Sequence, residues 1–199
     1  GAFSRNTEYG GAPCFSSIYL PDSLEKIGVG AFIGNSSLKT VTIPNNLADP
    51  ENPYAFGKKV VDADGADRDF RYGDSLFMYC TALTEVNLPA GNAYVGSYAF
   101  YNCTSLRKVT NLKGTEEIAE YAFALTQSLI SLSQDDLSAV KSIGEAAFAS
   151  GGLSGTISAP VLETVGAYAF QSDRFSVFNA PLLRVVGEAS FQLNPNLKV

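Results

Sequence analysis

The sequence predicts an α/β repeat solenoid, and three observations predict it. A phenylalanine, most often preceded by alanine, returns at near-constant spacing. Columns of similar residues flank it in unit after unit. In four of the units a short β-type segment that ends in proline follows the phenylalanine. Self-similarity at a fixed period of this size is the signature of stacked repeats, each too small to bury its apolar side alone.

The anchors are Phe32, Phe77, Phe100, Phe123, Phe148, Phe170 and Phe191, with gaps of 45, 23, 23, 25, 22 and 21 residues. The first gap equals about two units. One position before the anchor stand Ala31, Leu76, Ala99, Ala122, Ala147, Ala169 and Ser190. Four before stand Gly28, Gly73, Gly96, Ala119, Gly144, Gly166 and Gly187, a column that permits a left-handed or tightly packed turn. Five before are Ile27, Tyr72, Val95, Ile118, Ile143, Val165 and Val186. Six after come Leu38, Leu83, Leu106, Leu129 and Leu197, a column broken only after Phe148 and Phe170.

Each unit reads as a strand, a turn and a return. Val41-Thr42-Ile43-Pro44 and Val86-Asn87-Leu88-Pro89 alternate apolar with polar and stop at a residue that has no N–H for a ladder. Ile157-Ser158-Ala159-Pro160 and Phe178-Asn179-Ala180-Pro181 repeat the pattern. The Ala-Phe segment is expected to form a short helical or 3₁₀ return whose ring plugs the core. Neighbouring strands then form a parallel sheet on one face. Its outward positions are Thr40, Thr42, Glu85, Asn87, Lys108, Thr110, Ser131, Ser133, Thr156, Ser158, Val177 and Asn179. This row is rich in hydroxyls and amides. It reads either as a recognition surface or as a set of small polar residues that keep an exposed sheet soluble.

Composition narrows the chemistry. The 199 residues, 46% of them hydrophobic, suit one domain spanning 1–199 that buries a core. There is no histidine, which removes Ser-His-Asp and Cys-His catalysis and every imidazole-ligated metal site. The net charge of -6 argues against nucleic acid as a partner. No apolar run approaches the ~20 residues a membrane span needs. No catalytic, cofactor-binding or metal residues are assigned. Acidic pairs such as Glu116-Glu117 and Asp135-Asp136 come with no motif that fixes a cleft.

Several features read two ways. The irregular segment from about 45 to 72 takes the place of one expected unit and is rich in Asp, Gly and Pro. Within it, Asp62-Ala63-Asp64-Gly65-Ala66-Asp67-Arg68-Asp69 is a solvated acidic loop, a degenerate repeat or a calcium loop, although the EF-hand spacing fails. Cys80 and Cys103 share the column three after the anchor with Asn35, Thr126, Gly151, Asp173 and Asn194, which suggests inward positions bonded to turn backbone; adjacent coils could bring the two within disulfide range, but side chains running in parallel favour free thiols. With Cys14 the cysteine count is odd. Tyr98, Tyr121 and Tyr168 form a partial column two before the anchor, read as repeat packing or as an aromatic platform for sugars. Asn35-Ser36-Ser37 and Asn102-Cys103-Thr104 fit the N-glycosylation pattern, which is common by chance. Ala2-Phe3 and Asn194–Val199 look like repeats cut short, so the chain is expected to be a fragment of a longer array.

Asn35-Ser36-Ser37-Leu38-Lys39-Thr40-Val41-Thr42-Ile43-Pro44, Cys80-Thr81-Ala82-Leu83-Thr84-Glu85-Val86-Asn87-Leu88-Pro89 and Val95-Gly96-Ser97-Tyr98-Ala99-Phe100-Tyr101-Asn102-Cys103 resemble the two halves of a BspA-like, or Treponema-type, leucine-rich repeat. The resemblance covers most of residues 18–199. It implies a right-handed leucine-rich-repeat superhelix, usually exported and displayed on the surface of anaerobic bacteria, with several relatives associated with adhesion. The family shares no catalytic residues, so none carry over. The expected function is therefore a non-catalytic, cell-surface interaction protein with a protein partner. A structural spacer or display array, or a glycan-binding module, is the alternative.

Overall fold

The computed structural model describes residues 15–61, 67–133 and 135–198. Cys14, the Ala2-Phe3 pair and the heart of the acidic loop, Asp62–Ala66, lie outside them. The described strands, in chain order, are β1 (Thr40–Thr42), β2 (Lys59–Val61), β3 (Asp67–Arg71), β4 (Glu85–Asn87), β5 (Tyr94–Val95), β6 (Lys108–Thr110), β7 (Glu117–Ile118), β8 (Ser142–Ile143), β9 (Ser154–Ser158), β10 (Thr164–Val165), β11 (Arg174–Asn179) and β12 (Val185–Val186).

Stacked coils place these strands in separate parallel sheets. The segments before Pro44 and Pro89, with the equivalent segment at Lys108–Thr110, contribute the sheet β1-β4-β6, and those before Pro160 and Pro181 contribute the pair β9-β11. The two residues before each column glycine contribute a five-stranded sheet, β5-β7-β8-β10-β12. The remaining side of each coil carries the Ala-Phe turn. Inward Val41, Val86 and Val109 are buried and sit in direct register across β1, β4 and β6.

The phenylalanines line up as the period demands. Phe32, Phe77, Phe100, Phe123, Phe148, Phe170 and Phe191 form one continuous row, with successive ring centroids 5.3, 5.7, 5.1, 5.2, 5.3 and 5.7 Å apart and planes within 12° of parallel. Separations this long between nearly parallel rings describe offset stacking, which avoids the repulsion of aligned π faces. Each ring between the two ends of the row is covered by the coils on either side, and leucines and valines from the sheets close the core around the row.

The helical return that the sequence suggests does not form. The only described helical element is a 3₁₀ turn at Asn45–Ala48, inside the irregular segment. The Ala-Phe segments are repeating turns in which positions two before and two after each anchor take positive φ. Tyr98 and Asn102 flank Phe100 at 57° and 56°, and Tyr121 and Leu125 flank Phe123 at 54° and 62°. Left-handed residues four apart cannot propagate a helix.

They do allow a different hydrogen-bonding scheme. In the coil of Phe100, the N–H groups of Tyr98, Phe100 and Asn102 donate to Glu120, Ala122 and Ala124 of the next coil at 2.8–2.9 Å. The intervening Ala99, Tyr101 and Cys103 donate to carbonyls three residues back. A helix would keep all six within its own coil and leave the neighbour's carbonyls buried and unpaired. The fold is thus a β-solenoid, not an α/β one.

The irregular segment is likewise not a coil of the stack. Phe32 stacks directly on Phe77 and β1 pairs directly with β4, so residues between them leave the solenoid and return. The 3₁₀ turn buries Leu47, and Asn46 and Asn52 donate to the carbonyls of Leu24 and Glu25 at 3.2 and 3.0 Å, which docks the segment on the first coil. Its second half is the antiparallel pair β2-β3.

Candidate interaction surfaces

The outward face of β1-β4-β6 carries the polar row that the sequence places there. Thr40, Glu85 and Lys108 share one register line, and Thr42, Asn87 and Thr110 share the next. Asn87 Nδ2 donates to Thr42 Oγ1 at 3.1 Å, and Thr110 Oγ1 donates to Asn87 Oδ1 at 2.7 Å. Lys108 Nζ lies 2.8 Å from Glu85 Oε1. These contacts hold the side chains in fixed rotamers, which lowers the ordering cost of meeting a partner. The row is interrupted next: Ser131 and Ser133 are exposed but belong to no strand. It resumes on β9-β11, where Val177 faces Thr156 and Asn179 faces Ser158.

A second surface was not legible in the same way. Along the five-stranded sheet runs an open groove of about 540 Å³. Two columns edge it. Glu117, Ser142, Thr164 and Val185 lie on the strands, and Glu120 and Glu145 lie just beyond the column of Ala119, Gly144 and Gly166. The small residues of that column leave the floor recessed. The signal was present in the sequence, six and three positions before each anchor, but it shows no shared chemistry until the coils are stacked.

One end of the groove is walled by the irregular segment. Arg71 of β3 lies over the Tyr94 ring at 5.1 Å and forms a 2.8 Å bond with Glu117 Oε2. Tyr94 Oη donates to Asp74 Oδ1 at 2.8 Å, and the backbone N–H groups of Arg71 and Ser97 donate to the same carboxylate at 2.7 and 2.9 Å. Burial, followed by the neighbouring Asp74 charge, pushes the Tyr94 phenol well above its usual value, so it stays a donor. The network fixes the hairpin to the solenoid. Asp69, Asp74, Glu117, Glu120 and Glu145 meet a single cation, Arg71, among the groove residues.

Two members of the tyrosine column pack on each other. Tyr98 and Tyr121 stack at 4.8 Å with planes 8° apart, so each covers a face of the other. Tyr121 Oη donates to Glu145 Oε1 at 2.9 Å; that bond is the main cause that pushes its pKa up to about 12. Tyr168 stands apart, beyond Ala146, and donates to Glu188.

Cys80 and Cys103 are fully buried thiols whose Sγ atoms donate to the carbonyls of Phe32 and Phe77 at 3.1 and 3.0 Å. Burial raises the Cys103 pKa well above the ordinary thiol value. A thiol reagent followed by peptide mapping should therefore leave both unlabelled in native protein and label both in denaturant. Labelling of either under native conditions would contradict this packing.

The description "BspA type Leucine rich repeat region" matches residues 5–58 and 71–198 in six copies, which is most of the chain. The chain belongs to the BspA-type leucine-rich repeat family. The gap in the match, residues 59–70, lies inside the segment that leaves the BspA-type stack and holds its antiparallel pair apart from Arg71. No curated protein matches the sequence. A leucine-rich repeat protein from Bacteroides ovatus of known crystal structure is 14% identical, with a TM-score of 0.30; the alignment covers 92% of this chain and 65% of that one, just under two thirds of the longer protein. Among the described residues of this BspA-type chain, no helix is long and apolar enough to cross a membrane. Among the described residues, no group of three or more His, Cys, Asp or Glu is placed to hold a metal.

Proposed function

We propose that this chain is a non-catalytic recognition array of the cell surface that binds a protein partner through the exposed faces of its sheets. The observation that carries this reading is the Thr42-Asn87-Thr110 ladder, a polar row held rigid across three coils. Many weak contacts on such a scaffold give useful affinity, because few rotamers have to be frozen on binding. The family supports a protein-interaction role, and display at the surface of a bacterium agrees with its usual setting.

The test is a solid-phase screen of the protein against host matrix proteins and a glycan panel. Saturable binding to a protein, reduced about tenfold or more by the pair Asn87→Ala and Thr110→Ala in protein that remains folded at the assay temperature, is the expected result; loss of two or three charge-free hydrogen bonds is worth that much. Binding to glycans alone would favour a glycan-binding module. Failure to bind across the panel would favour a spacer or display array. The ladder's own bonding is the observation on that side, since Asn87 already directs both its amide groups at its neighbours.

A further inference from the structure

The column three residues after each phenylalanine is a column of donors. Asn35, Thr126 and Asn194 each donate from the side chain to the carbonyl of their own anchor, at 2.9, 2.6 and 3.0 Å. Cys80, Cys103 and Asn194 donate to the anchor carbonyl of the preceding coil. Two members differ. Gly151 has no side chain, and Asp173, on the next coil, is an acceptor if it is ionised.

These two departures fit together. A Cβ on Gly151 would lie 2.8 Å from Phe148 O and 3.0 Å from Asp173 Oδ1, so the carboxyl fills the space the glycine leaves and reaches the neighbourhood of that anchor carbonyl. Asp173 is 1% exposed. Its Oδ1 accepts the Leu153 N–H at 3.1 Å, while its Oδ2 has no hydrogen-bond partner. On the following coil Asn194 Oδ1 is also buried without a donor. Asp173 Oδ2 and Asn194 Oδ1 are thus two buried oxygens left without a hydrogen.

We infer that Asp173 is carried as the neutral carboxylic acid, its Oδ2–H serving as the donor this column requires, and that the joint between the coils of Phe148 and Phe170 loosens when alkali removes the proton. An ionised carboxyl here would be buried with one N–H for company, and swinging it into water would release the Leu153 N–H at the entrance to β9. That strand, paired with β11, carries the second half of the polar face.

The charge environment agrees. Burial raises the Asp173 pKa to about 8, opposed only by the Leu153 hydrogen bond, and no neighbouring charge contributes. From the preceding coil Gly151, Gly152 and Leu153 bring no titratable group, Asn194 on the next coil brings none, and the adjoining Arg174 is exposed. Because the folded value lies above that of the unfolded chain, this group's contribution to stability is complete below about pH 4 and is lost progressively as the pH rises to about 8.

Two measurements test this on the full chain. In wild-type protein, ¹³C-carboxyl NMR should find one aspartate that titrates above pH 6 and disappears from the spectrum of Asp173→Asn. The melting temperature of Asp173→Asn, whose amide supplies the missing donor permanently, should match wild type at pH 4 and exceed it by about 5 °C or more at pH 8.5. An Asp173 resonance that titrates below pH 5 would overturn the inference. So would parallel melting curves for the two proteins from pH 4 to 8.5. Should the variant fail to fold, the wild-type titration decides alone.

Discussion

Phe123→Ala is expected to destabilise the protein by about 3–5 kcal/mol, the range for removing a fully buried aromatic ring from a core that cannot close around the gap. Phe123 is 0% exposed and lies between Phe100 and Phe148 at 5.1 and 5.2 Å. Collapse into the cavity would require two coils to approach more closely than their shared backbone hydrogen bonds allow, so little relaxation is available. Phe123→Leu keeps most of the volume and should cost about 1.5 kcal/mol or less. Phe191→Ala at the far end of the row, where the ring is only partly buried, should cost less than Phe123→Ala. Urea unfolding followed by circular dichroism measures all three. Equal losses at Phe123 and Phe191 would mean the row is not the continuous core described here.

Gly144→Ala is the second large effect, with an expected cost of about 3 kcal/mol or more. Its φ is not in the left-handed region, so backbone freedom is not the reason for glycine here. A methyl group would lie 2.6 Å from Glu120 N and 2.7 Å from Ala119 C, and both are backbone atoms of the coil beneath. Only separation of the two coils could relieve that contact, at the expense of Gly144 N–H to Ile118 O and of the ring contact between Phe123 and Phe148. Gly166 faces the same obstacle, with Glu145 N at 2.5 Å. Ala119 in the same column already carries a methyl, so Ala119→Gly should change stability by no more than about 1 kcal/mol. Thermal melts of Gly144→Ala and Ala119→Gly side by side separate close coil contact from glycine's general flexibility. A melting temperature for Gly144→Ala within a degree or two of wild type would refute the steric account.

The stacking was legible because it depends on things a sequence displays directly. The phenylalanine period, the leucine and valine columns, and the alternation of Val41-Thr42-Ile43 all report which side of the chain faces inward. The turn conformation was hidden, because Tyr98, Tyr121 and Leu125 give no sign that they adopt positive φ. Such residues avoid that region in isolation, and here three hydrogen bonds to the next coil at each junction override the preference. The glycine column was visible, yet its two causes were not separable in advance. Gly73 does take a left-handed φ of 98°, whereas Gly144 and Gly166 are small only because another backbone passes against them. The outward polar row was read correctly on β1, β4 and β6, but the break at Ser131 and Ser133 was not, since a strand there depends on partners in both neighbouring coils. The acidic groove is not apparent along the sequence because its residues come from separate repeats and from β3.

The backbone hydrogen bonds between coils on the turn side all run in one sense. At every junction the earlier coil gives three N–H groups and the later coil receives them, from Gly30, Phe32 and Gly34 onto Asp74, Leu76 and Met78 through to Tyr168, Phe170 and Ser172 onto Glu188, Ser190 and Gln192. The peptide dipoles along that side therefore add, as they do down a helix, and the two poles of the stack are chemically unlike. Association along this axis is head-to-tail by construction: two like poles brought together by a two-fold rotation would set donor against donor, or acceptor against acceptor, over the whole turn side.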